Sequence, residues 1–209
     1  MPPATSAPSE FSFIAGHPAL DFVNTVDRSG SHVTHERLVS LEALLRWTTC
    51  AGFAEAAAER LRHRGRSDPG MASAALARAL ETRALLHRVC AAVVDGGADP
   101  TAPADLDRAL HRALSRRHLV AEGRSIRWQW EPAEREFVEV LGPLLISAAE
   151  LLTDGGKLAR LRRCAGTGCG WLFLDRSRNR SRTWCDMAIC GNRVKASRHY
   201  QRQRKEPAP

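Results

Sequence analysis

Four cysteines near the carboxyl end have the spacing of a metal site. Cys164 and Cys169 are separated by four residues, and after fifteen more residues Cys185 and Cys190 repeat that spacing. Two close pairs joined by a loop suit tetrahedral coordination by four thiolates, because each pair spans one edge of the tetrahedron. Four protein ligands leave no open coordination position, so the pattern predicts one structural Zn²⁺ per chain. A redox thiol pair or a disulfide is the alternative for the same residues.

The other two cysteines, the first ten residues and the length of the apolar runs help to predict the cellular compartment. Cys50 and Cys90 lie in predicted helices, far from any partner spacing, and are expected to be small buried hydrophobic side chains. The first ten residues have neither the basic start nor the apolar stretch of an export signal. No apolar run approaches the roughly 20 residues that a membrane-spanning helix needs. We therefore expect a cytoplasmic protein without a membrane partner, whose clustered cysteines bind metal.

The positive charge is concentrated in the last quarter of the chain. The protein has 31 Lys and Arg against 23 Asp and Glu. Residues 1–156 have a balance of −3, whereas residues 157–209, here called the carboxyl-terminal module, have 14 basic and three acidic residues. A block this basic predicts a polyanionic partner, with nucleic acid favoured over an acidic membrane surface.

Two groups of cations are candidates for phosphate contacts. The segment 176–182 has an arginine at every second position, and an extended backbone would turn these four side chains to one face: Arg176, Arg178, Arg180 and Arg182. A following helix would align four more cations, although a solvated helix face is the alternative: Lys195, Arg198, Arg202 and Lys205. Asn179, Asn192 and Arg193 are candidates for base edges, and compensation of the thiolate charge is an equal alternative for Arg193.

Two further features of the module have structural interpretations. Trp171 and Phe173 alternate with aliphatic residues as in a strand, and core packing is favoured over stacking on bases. Gly191 and Asn192 tolerate positive φ, so the backbone there is expected to wrap around the sulfur of Cys190.

The region from residue 11 to 156 is predicted to be mostly helical, after a disordered tail at residues 1–10. Apolar periodicity and capping residues predict helical segments at 19–26, 40–49, 53–64, 71–94, 105–117 and 137–151, with a kink or restart at 142–143. Alternation predicts a β-hairpin at 118–131, with which a short strand at 11–14 would pair. The fold class is therefore α+β, mostly helical, with a joint at the two glycines 155 and 156. The sequence has no Ser/His/Asp group, phosphate-binding glycine loop or paired carboxylates, so no enzymatic activity is expected.

Two motifs resemble known families. The module reads Cys-x4-Cys-Gly-Trp-Leu-Phe-Leu-Asp, then Ser-Arg-Asn-Arg-Ser-Arg, and ends in Cys190-Gly191-Asn192-Arg193. It resembles the CGNR zinc-finger family, named for that tetrapeptide. The segment from Phe11 to Thr25, Phe-x-Phe-x-x-Gly-His-Pro-Ala-Leu-Asp-Phe-Val-Asn-Thr, is similar to the start of the ABATE domain that precedes this finger. Together the resemblances extend from Phe11 to about residue 205.

The resemblance implies a bacterial, stress-linked transcription regulator with a treble-clef-like zinc finger that binds DNA. It also implies that residues 11–156 sense a small-molecule effector or a partner. His17, Asp21 and Asn24 are the polar residues of the opening motif and are candidates for ligand contacts, whereas capping of a turn and tethering of a loop are the alternatives.

DNA binding is the leading hypothesis, and two others remain. An RNA-binding factor would stack unpaired bases on Trp171, Phe173 or Tyr200. The module could instead dock on a protein such as RNA polymerase. A homodimer is the usual expectation for a regulator of this kind.

Overall fold

The computed structural model describes residues 10–29, 32–53, 55–97, 99–131 and 138–203. In these ranges the helices are α1 (Pro18–Val23), α2 (Leu41–Cys50), α3 (Glu55–Ser67), α4 (Pro69–Asp95), α5 (Ala102–Leu114), α6 (Val138–Thr153), α7 (Gly155–Leu158) and α8 (Asn192–Gln203). The strands are β1 (Val26–Ser29), β2 (His32–Glu36), β3 (Arg117–Glu122), β4 (Ser125–Trp130), β5 (Leu161–Arg163) and β6 (Leu172–Leu174). Sequential strands pair into three antiparallel hairpins. The predicted α+β, mostly helical fold class is confirmed.

Helix α2 begins after Ser40 and helix α4 ends at Gly96 as predicted, whereas α4 begins at Pro69, two residues before the predicted start at residue 71. The Ser40 hydroxyl accepts a hydrogen bond from the Ala43 amide (3.1 Å) at the start of α2. Asp68 caps α4 by accepting from the Met71 amide (2.9 Å), and Pro69 occupies the first turn. Gly96 ends α4 with a φ of +64°, a left-handed conformation that favours glycine.

The main core forms around an aromatic group between α1 and α2. The Trp47 side chain is fully buried, and its ring lies 4.9 Å from the ring of Phe22 and 6.4 Å from that of Phe53. Helix α1 packs on both α4 and α6, so the short opening helix lies at the centre of the amino-terminal region. Cys90 is buried in this core as predicted, but Cys50 is exposed and that expectation was wrong, because the last residue of α2 faces solvent.

The carboxyl-terminal module shares this core. Strand β6 is fully buried, and the Leu174 amide donates to the Ala15 carbonyl (2.8 Å). The Asn24 side chain donates to the Leu172 carbonyl (2.8 Å) and accepts from the Leu172 amide (3.0 Å). Its amide group thus takes the place of the backbone of a neighbouring strand. Since buried residues of both regions form one cluster, the module packs as part of the same body.

A buried ion pair anchors the β1–β2 hairpin beside the module. The Arg83 guanidinium on α4, only 5% exposed, donates to the Glu36 carboxylate (2.7 Å) and to the Thr25 hydroxyl (3.0 Å). Burial alone would raise the pKa of Glu36, but these hydrogen bonds and the neighbouring positive charge hold that pKa below its usual range. The pair thus fixes the hairpin against α4.

Several predicted elements differ from the structure. Residues 11–14 form no strand; their backbone instead lies along the module, where the neighbouring Ala15 carbonyl bonds to β6. The β3–β4 hairpin is confirmed but has no third strand. Helix α6 continues through Pro143, because burial of Leu144 and Leu145 offsets the missing hydrogen bond. The β1–β2 hairpin was missed, since its mostly exposed sequence lacks regular alternation and contains a bulge.

The predicted joint at residues 155 and 156 is a helical turn, α7, capped by the Asp154 carboxylate. Residues 1–9 of the predicted tail at 1–10, and the start of the predicted helix at residue 137, lie outside the described residues. Glu10, the last residue of that tail, pairs with Arg46 (2.8 Å). Within the part of the chain that the structure describes, every helix is too short or too polar to cross a bilayer.

Asp21 is a buried carboxylate in α1. Its Oδ1 accepts a hydrogen bond from the Ala15 amide (2.9 Å), which fixes the turn before the helix. Burial raises the pKa of Asp21 to about 6, although that hydrogen bond and the charge of Arg176 oppose the rise. Folding therefore places a carboxylate where its charged form is less stable than in water.

Replacing Asn24 with alanine should destabilise the whole chain. Asn24→Ala would leave the buried amide and carbonyl of Leu172 without partners, at a cost of about 2–4 kcal/mol in the free energy of unfolding. Urea denaturation followed by circular dichroism measures this cost. Asn179→Ala, at an exposed turn, is the control and should change stability by no more than about 0.5 kcal/mol. Equal effects of the two variants would contradict the tethering role of Asn24.

The stability of the protein should carry a pH dependence that arises from Asp21. Because the folded-state pKa lies above the unfolded value, the folded state binds more protons in this window, and stability falls as pH rises. Asp21→Asn should therefore match the parent protein near pH 4 and exceed it in urea midpoint near pH 7. Glu81→Gln, on an exposed part of α4, should show no such trend. A pH-independent difference between Asp21→Asn and the parent would refute this.

Candidate metal centre and cationic surface

The four predicted cysteine sulfurs come together. The Sγ atoms of Cys164, Cys169, Cys185 and Cys190 all lie within 4.8 Å of one another. The Sγ of Cys185 is 3.7 Å from that of Cys169 and 3.6 Å from that of Cys190. A tetrahedral zinc ion with Zn–S bonds of about 2.3 Å has sulfur–sulfur edges of about 3.8 Å, whereas a disulfide requires about 2.05 Å. The observed distances fit a tetrahedral metal and exclude a disulfide in this arrangement.

A tight turn between β5 and β6 presents the first pair of sulfurs. The Cys164 amide donates to the Trp171 carbonyl (2.9 Å) and the Cys169 amide donates to the Gly166 carbonyl (2.9 Å). Gly168 adopts a φ of +71° in this turn. A Cβ atom on Gly166 would lie only 3.2 Å from the sulfur of Cys190, so glycine lets the backbone approach the sulfurs.

The second pair lies at the start of α8. Asp186 caps a π-helical turn (Met187–Gly191) by accepting a hydrogen bond from the Ile189 amide (2.8 Å), and Cys190 lies in this turn. Asn192 has a φ of −67°, and Gly191 is not among the positive-φ glycines, so the predicted wrapping was wrong. The chain is helical here, and a Cβ atom on Gly191 would lie 2.5 Å from the Met187 sulfur. Close packing against Met187 therefore explains why residue 191 is a glycine.

Hydrogen-bond donors surround the sulfurs. The amides of Cys185 (3.3 Å) and Gly166 (3.4 Å) donate hydrogen bonds to the Cys164 sulfur. The Arg193 guanidinium lies 3.5 Å from the Cys190 sulfur. Four thiolates around one Zn²⁺ carry a net charge of about −2. The position of Arg193 therefore favours the charge-compensation interpretation over an outward contact with phosphate.

The arginine-rich segment 176–182 is a closed turn, so the predicted extended conformation was wrong. The buried Asp175 carboxylate accepts from the Ser177 amide (2.9 Å) and the Arg182 amide (3.0 Å), which draws the two ends of the segment together. Burial acts to raise the pKa of Asp175, but the Ser177 and Arg182 hydrogen bonds hold it below its usual range. Arg180 adopts a φ of +53° within the turn. An Asp followed two residues later by Ser is a turn signal that the sequence analysis missed.

The closed turn divides the four arginines into two kinds. Arg182 stacks 4.6 Å above the Phe173 ring and donates to the carbonyls of Trp184 (2.9 Å) and Cys185. Arg176 donates to the Gly16 carbonyl at the opening motif. These two guanidinium groups hold the module together, whereas Arg178 and Arg180 are exposed.

The packing interpretation of the two aromatic residues is confirmed. Phe173 is fully buried, and the Trp171 indole donates to the Asp27 carboxylate (2.9 Å) beneath the guanidinium of Arg37. Tyr200 on α8 is 67% exposed. One of the three predicted stacking platforms therefore faces solvent.

The predicted cationic helix is present as α8. Asn192, Arg193 and Lys195 are exposed in its first turn, and Asn179 is exposed in the closed turn 176–182. Helix α8 includes residues 198 and 202, but the side chains of Arg198 and Arg202 are outside the described set, and Lys205 lies outside the described residues.

The three candidate ligand residues of the opening motif make contacts within the fold. The His17 Nδ1 accepts from the Ala19 amide (3.3 Å) at the start of α1, and the carboxylate of Asp21 and the amide of Asn24 are bonded as described above. Burial, then the charges of Lys157 and Arg176, lower the pKa of His17. These contacts match the alternative interpretation, in which the side chains cap a turn and tether the chain.

Comparison with known families agrees with this geometry. Residues 16–155 match the ABATE family model, described as "Putative stress-induced transcription regulator", and residues 160–203 match the CGNR zinc finger. No curated protein matches the chain. Neither description is that of an enzyme family. Since the first match covers more than half of the protein and the second contains all four clustered cysteines, the chain belongs to the ABATE family and carries a CGNR zinc finger.

Proposed function

We propose that the protein is a DNA-binding transcription regulator whose carboxyl-terminal module is shaped by one structural Zn²⁺ ion. Cys164, Cys169, Cys185 and Cys190 would hold the ion. Four thiolates complete a tetrahedral shell, so the ion would act as a cross-link between the β5–β6 turn and the start of α8. In the described part of the module the only paired strands, β5 and β6, have three residues each, so such a cross-link would contribute a large part of the module's stability.

The observation that carries the DNA proposal is the absence of counter-charge around the exposed cations. In the amino-terminal region acidic side chains pair with arginines, as in Arg37–Asp27 (2.8 Å) and Arg62–Glu42 (2.8 Å). In the described part of the module, the only acidic residues are Asp175 and Asp186, and both carboxylates accept from backbone amides. The module therefore keeps an unneutralised positive surface.

Among the described residues, the structure records no ion pair for Arg178, Arg180 or Lys195. Three exposed guanidinium or ammonium groups on one small module suit electrostatic contacts with a phosphate backbone. Arg198, Arg202 and Lys205 would extend that surface along α8. Asn179, Asn192 and Arg193 remain the candidates for base contacts, with Arg193 also compensating the thiolate charge.

The same surface is less suited to single-stranded RNA. Phe173 is fully buried and the Trp171 indole is held by Asp27, so of the three candidate platforms for a base only Tyr200 is exposed. Docking on RNA polymerase would be shown by binding to that protein without affinity for DNA. Sensing of an effector and assembly as a homodimer are further parts of the proposal.

Zinc should be stoichiometric and should stabilise the entire chain. The purified protein should contain about one zinc per chain, and Cys185→Ser should lose it. Because the module shares the main core, the thermal unfolding midpoint of the whole chain should fall, by roughly 2–4 °C for each kcal/mol lost. Metal analysis and differential scanning calorimetry measure the two effects.

Cys50→Ser is the matched control for the zinc experiment. Cys50 is an exposed cysteine at the end of α2 and is not one of the four clustered cysteines. This variant should keep its zinc and its unfolding midpoint. A metal-free parent protein with an ordered module would contradict the proposed role of zinc.

Affinity for duplex DNA should depend steeply on salt. If about six phosphates are neutralised, log K should fall against log salt with a slope of roughly −5. Arg178→Gln should lower affinity similarly for all sequences and reduce the magnitude of the slope by about one. Fluorescence anisotropy with a random-sequence duplex, repeated over a series of salt concentrations, measures both quantities.

Arg124→Gln is the matched control, because Arg124 is also an exposed arginine in a tight turn but belongs to the β3–β4 hairpin. It should leave the affinity and the slope unchanged. A salt-insensitive affinity, or preference for single-stranded RNA in competition, would overturn the proposal of DNA binding.

A further inference from the structure

A cavity of about 370 Å³ lies among helices α3, α4, α5 and α6, away from the cysteines. Its volume is within the range of small-molecule sites, roughly 300–1,000 Å³. Most of its lining is apolar and comes from all four helices: Leu61, Met71, Ala74, Ala75, Ala109, Ala113, Leu141 and Leu145. A cavity of this kind favours a ligand with an apolar body.

The charged groups among the described lining residues are all of one sign. Arg64, Arg78 and Arg112 contribute to this lining, and none of its other described residues is acidic. In the described part of the chain the structure records no ion pair for Arg78 or Arg112. The Thr82 hydroxyl in the same cavity donates to the Arg78 carbonyl (2.9 Å), so it fixes the backbone beside the guanidinium.

Other arginines on the same two helices behave differently. Arg88 on α4 pairs with Asp99 (3.0 Å) and with Asp105, and Arg108 on α5 also pairs with Asp105. Acidic partners are therefore available along α4 and α5, but none of the described residues that line the cavity is acidic. Arg78 and Arg112, which are both exposed, have no recorded acidic partner among the described residues, so their guanidinium groups can donate charge-assisted hydrogen bonds to a ligand.

We propose that this cavity binds a small organic monocarboxylate with an apolar body, such as a medium-length aliphatic acid. The carboxylate would accept charge-assisted hydrogen bonds from Arg78 and Arg112, and the hydrocarbon would cover the apolar lining. The proposal of a binding site depends only on the observations at the cavity. Its regulatory consequence rests on the proposed function.

Helix α4 offers a direct route from the cavity to the module. Its first half lines the cavity from Met71 to Thr82, and its last residue, Asp95, pairs with Arg163 of β5 (2.7 Å). Between these ends, Arg83 holds the β1–β2 hairpin that contacts Trp171. A ligand that shifts α4 would therefore act on the module through contacts at both the middle and the end of one helix.

Calorimetric titration of the full chain, as purified, with sodium octanoate tests the site. Octanoate should bind with a dissociation constant of about 1 mM or below, and octanamide, which has the same shape without the charge, about tenfold more weakly. Equal binding of the two probes, or no saturable binding of octanoate, would overturn the proposal.

Variants on α5 locate the site. Arg112→Gln should weaken octanoate binding about tenfold, whereas Arg108→Gln, one turn away and outside the cavity, should bind as the parent does. Ala109→Phe should fill the cavity and remove binding, and unchanged circular dichroism would show that it folds. Parent-like binding by Arg112→Gln would overturn the site even if Ala109→Phe failed to fold.

The regulatory consequence is measured separately, as the DNA affinity of the parent protein with and without octanoate. A change of several-fold is expected from coupling through α4. Octanoate binding without any change in DNA affinity overturns the coupling. Absence of DNA binding in the ligand-free and in the octanoate-bound protein overturns the proposed function and leaves the carboxylate site standing.

Discussion

Strand β6, Leu172–Leu174, is the element on which both parts of the molecule depend. Its backbone bonds to β5 within the module and to Ala15 and Asn24 of the opening motif. Its side chains are buried in the core that also contains Trp47 and Leu86. Since a buried strand must satisfy every amide and carbonyl, the position of this strand is tightly specified. The strand begins three residues after Cys169, so its position also constrains the position of the first pair of sulfurs.

The carboxylates of the two regions bind different kinds of partner. Acidic residues of the amino-terminal region pair with arginines, and the two described acidic residues of the module hold backbone amides. Of the arginines in segment 176–182, those at the ends support the turn and those in the middle face solvent. The exposed positive surface therefore depends on the positions and partners of the carboxylates as much as on the number of arginines in the module.

Features fixed by local chemistry could be predicted from the sequence. The four cysteines were identified because coordination imposes short spacings, the start of α2 because Ser40 is a capping residue, and the end of α4 because Gly96 stops its apolar periodicity. The β3–β4 hairpin followed from alternation around a turn at Gly123, which has a φ of +59°.

Long-range partners could not be predicted in this way. The Asn24–Leu172 bonds join residues 148 positions apart, and no pattern near Asn24 indicates them. The extended interpretation of segment 176–182 failed because it considered the arginines and ignored Asp175, whose buried carboxylate closes the turn. The cavity among α3, α4, α5 and α6 is likewise a product of helix packing, which periodicity alone does not specify.

The opening motif and the zinc finger form a single structural unit. A finger excised at residue 157 and transplanted onto another protein would expose Leu172 and Phe173 to water and would lose the Asn24 and Ala15 partners of its strand. The segment around α1 would, in the same operation, lose the surface against which it folds. A fusion that transplants this finger therefore needs to carry residues 15–25 along with residues 160–203.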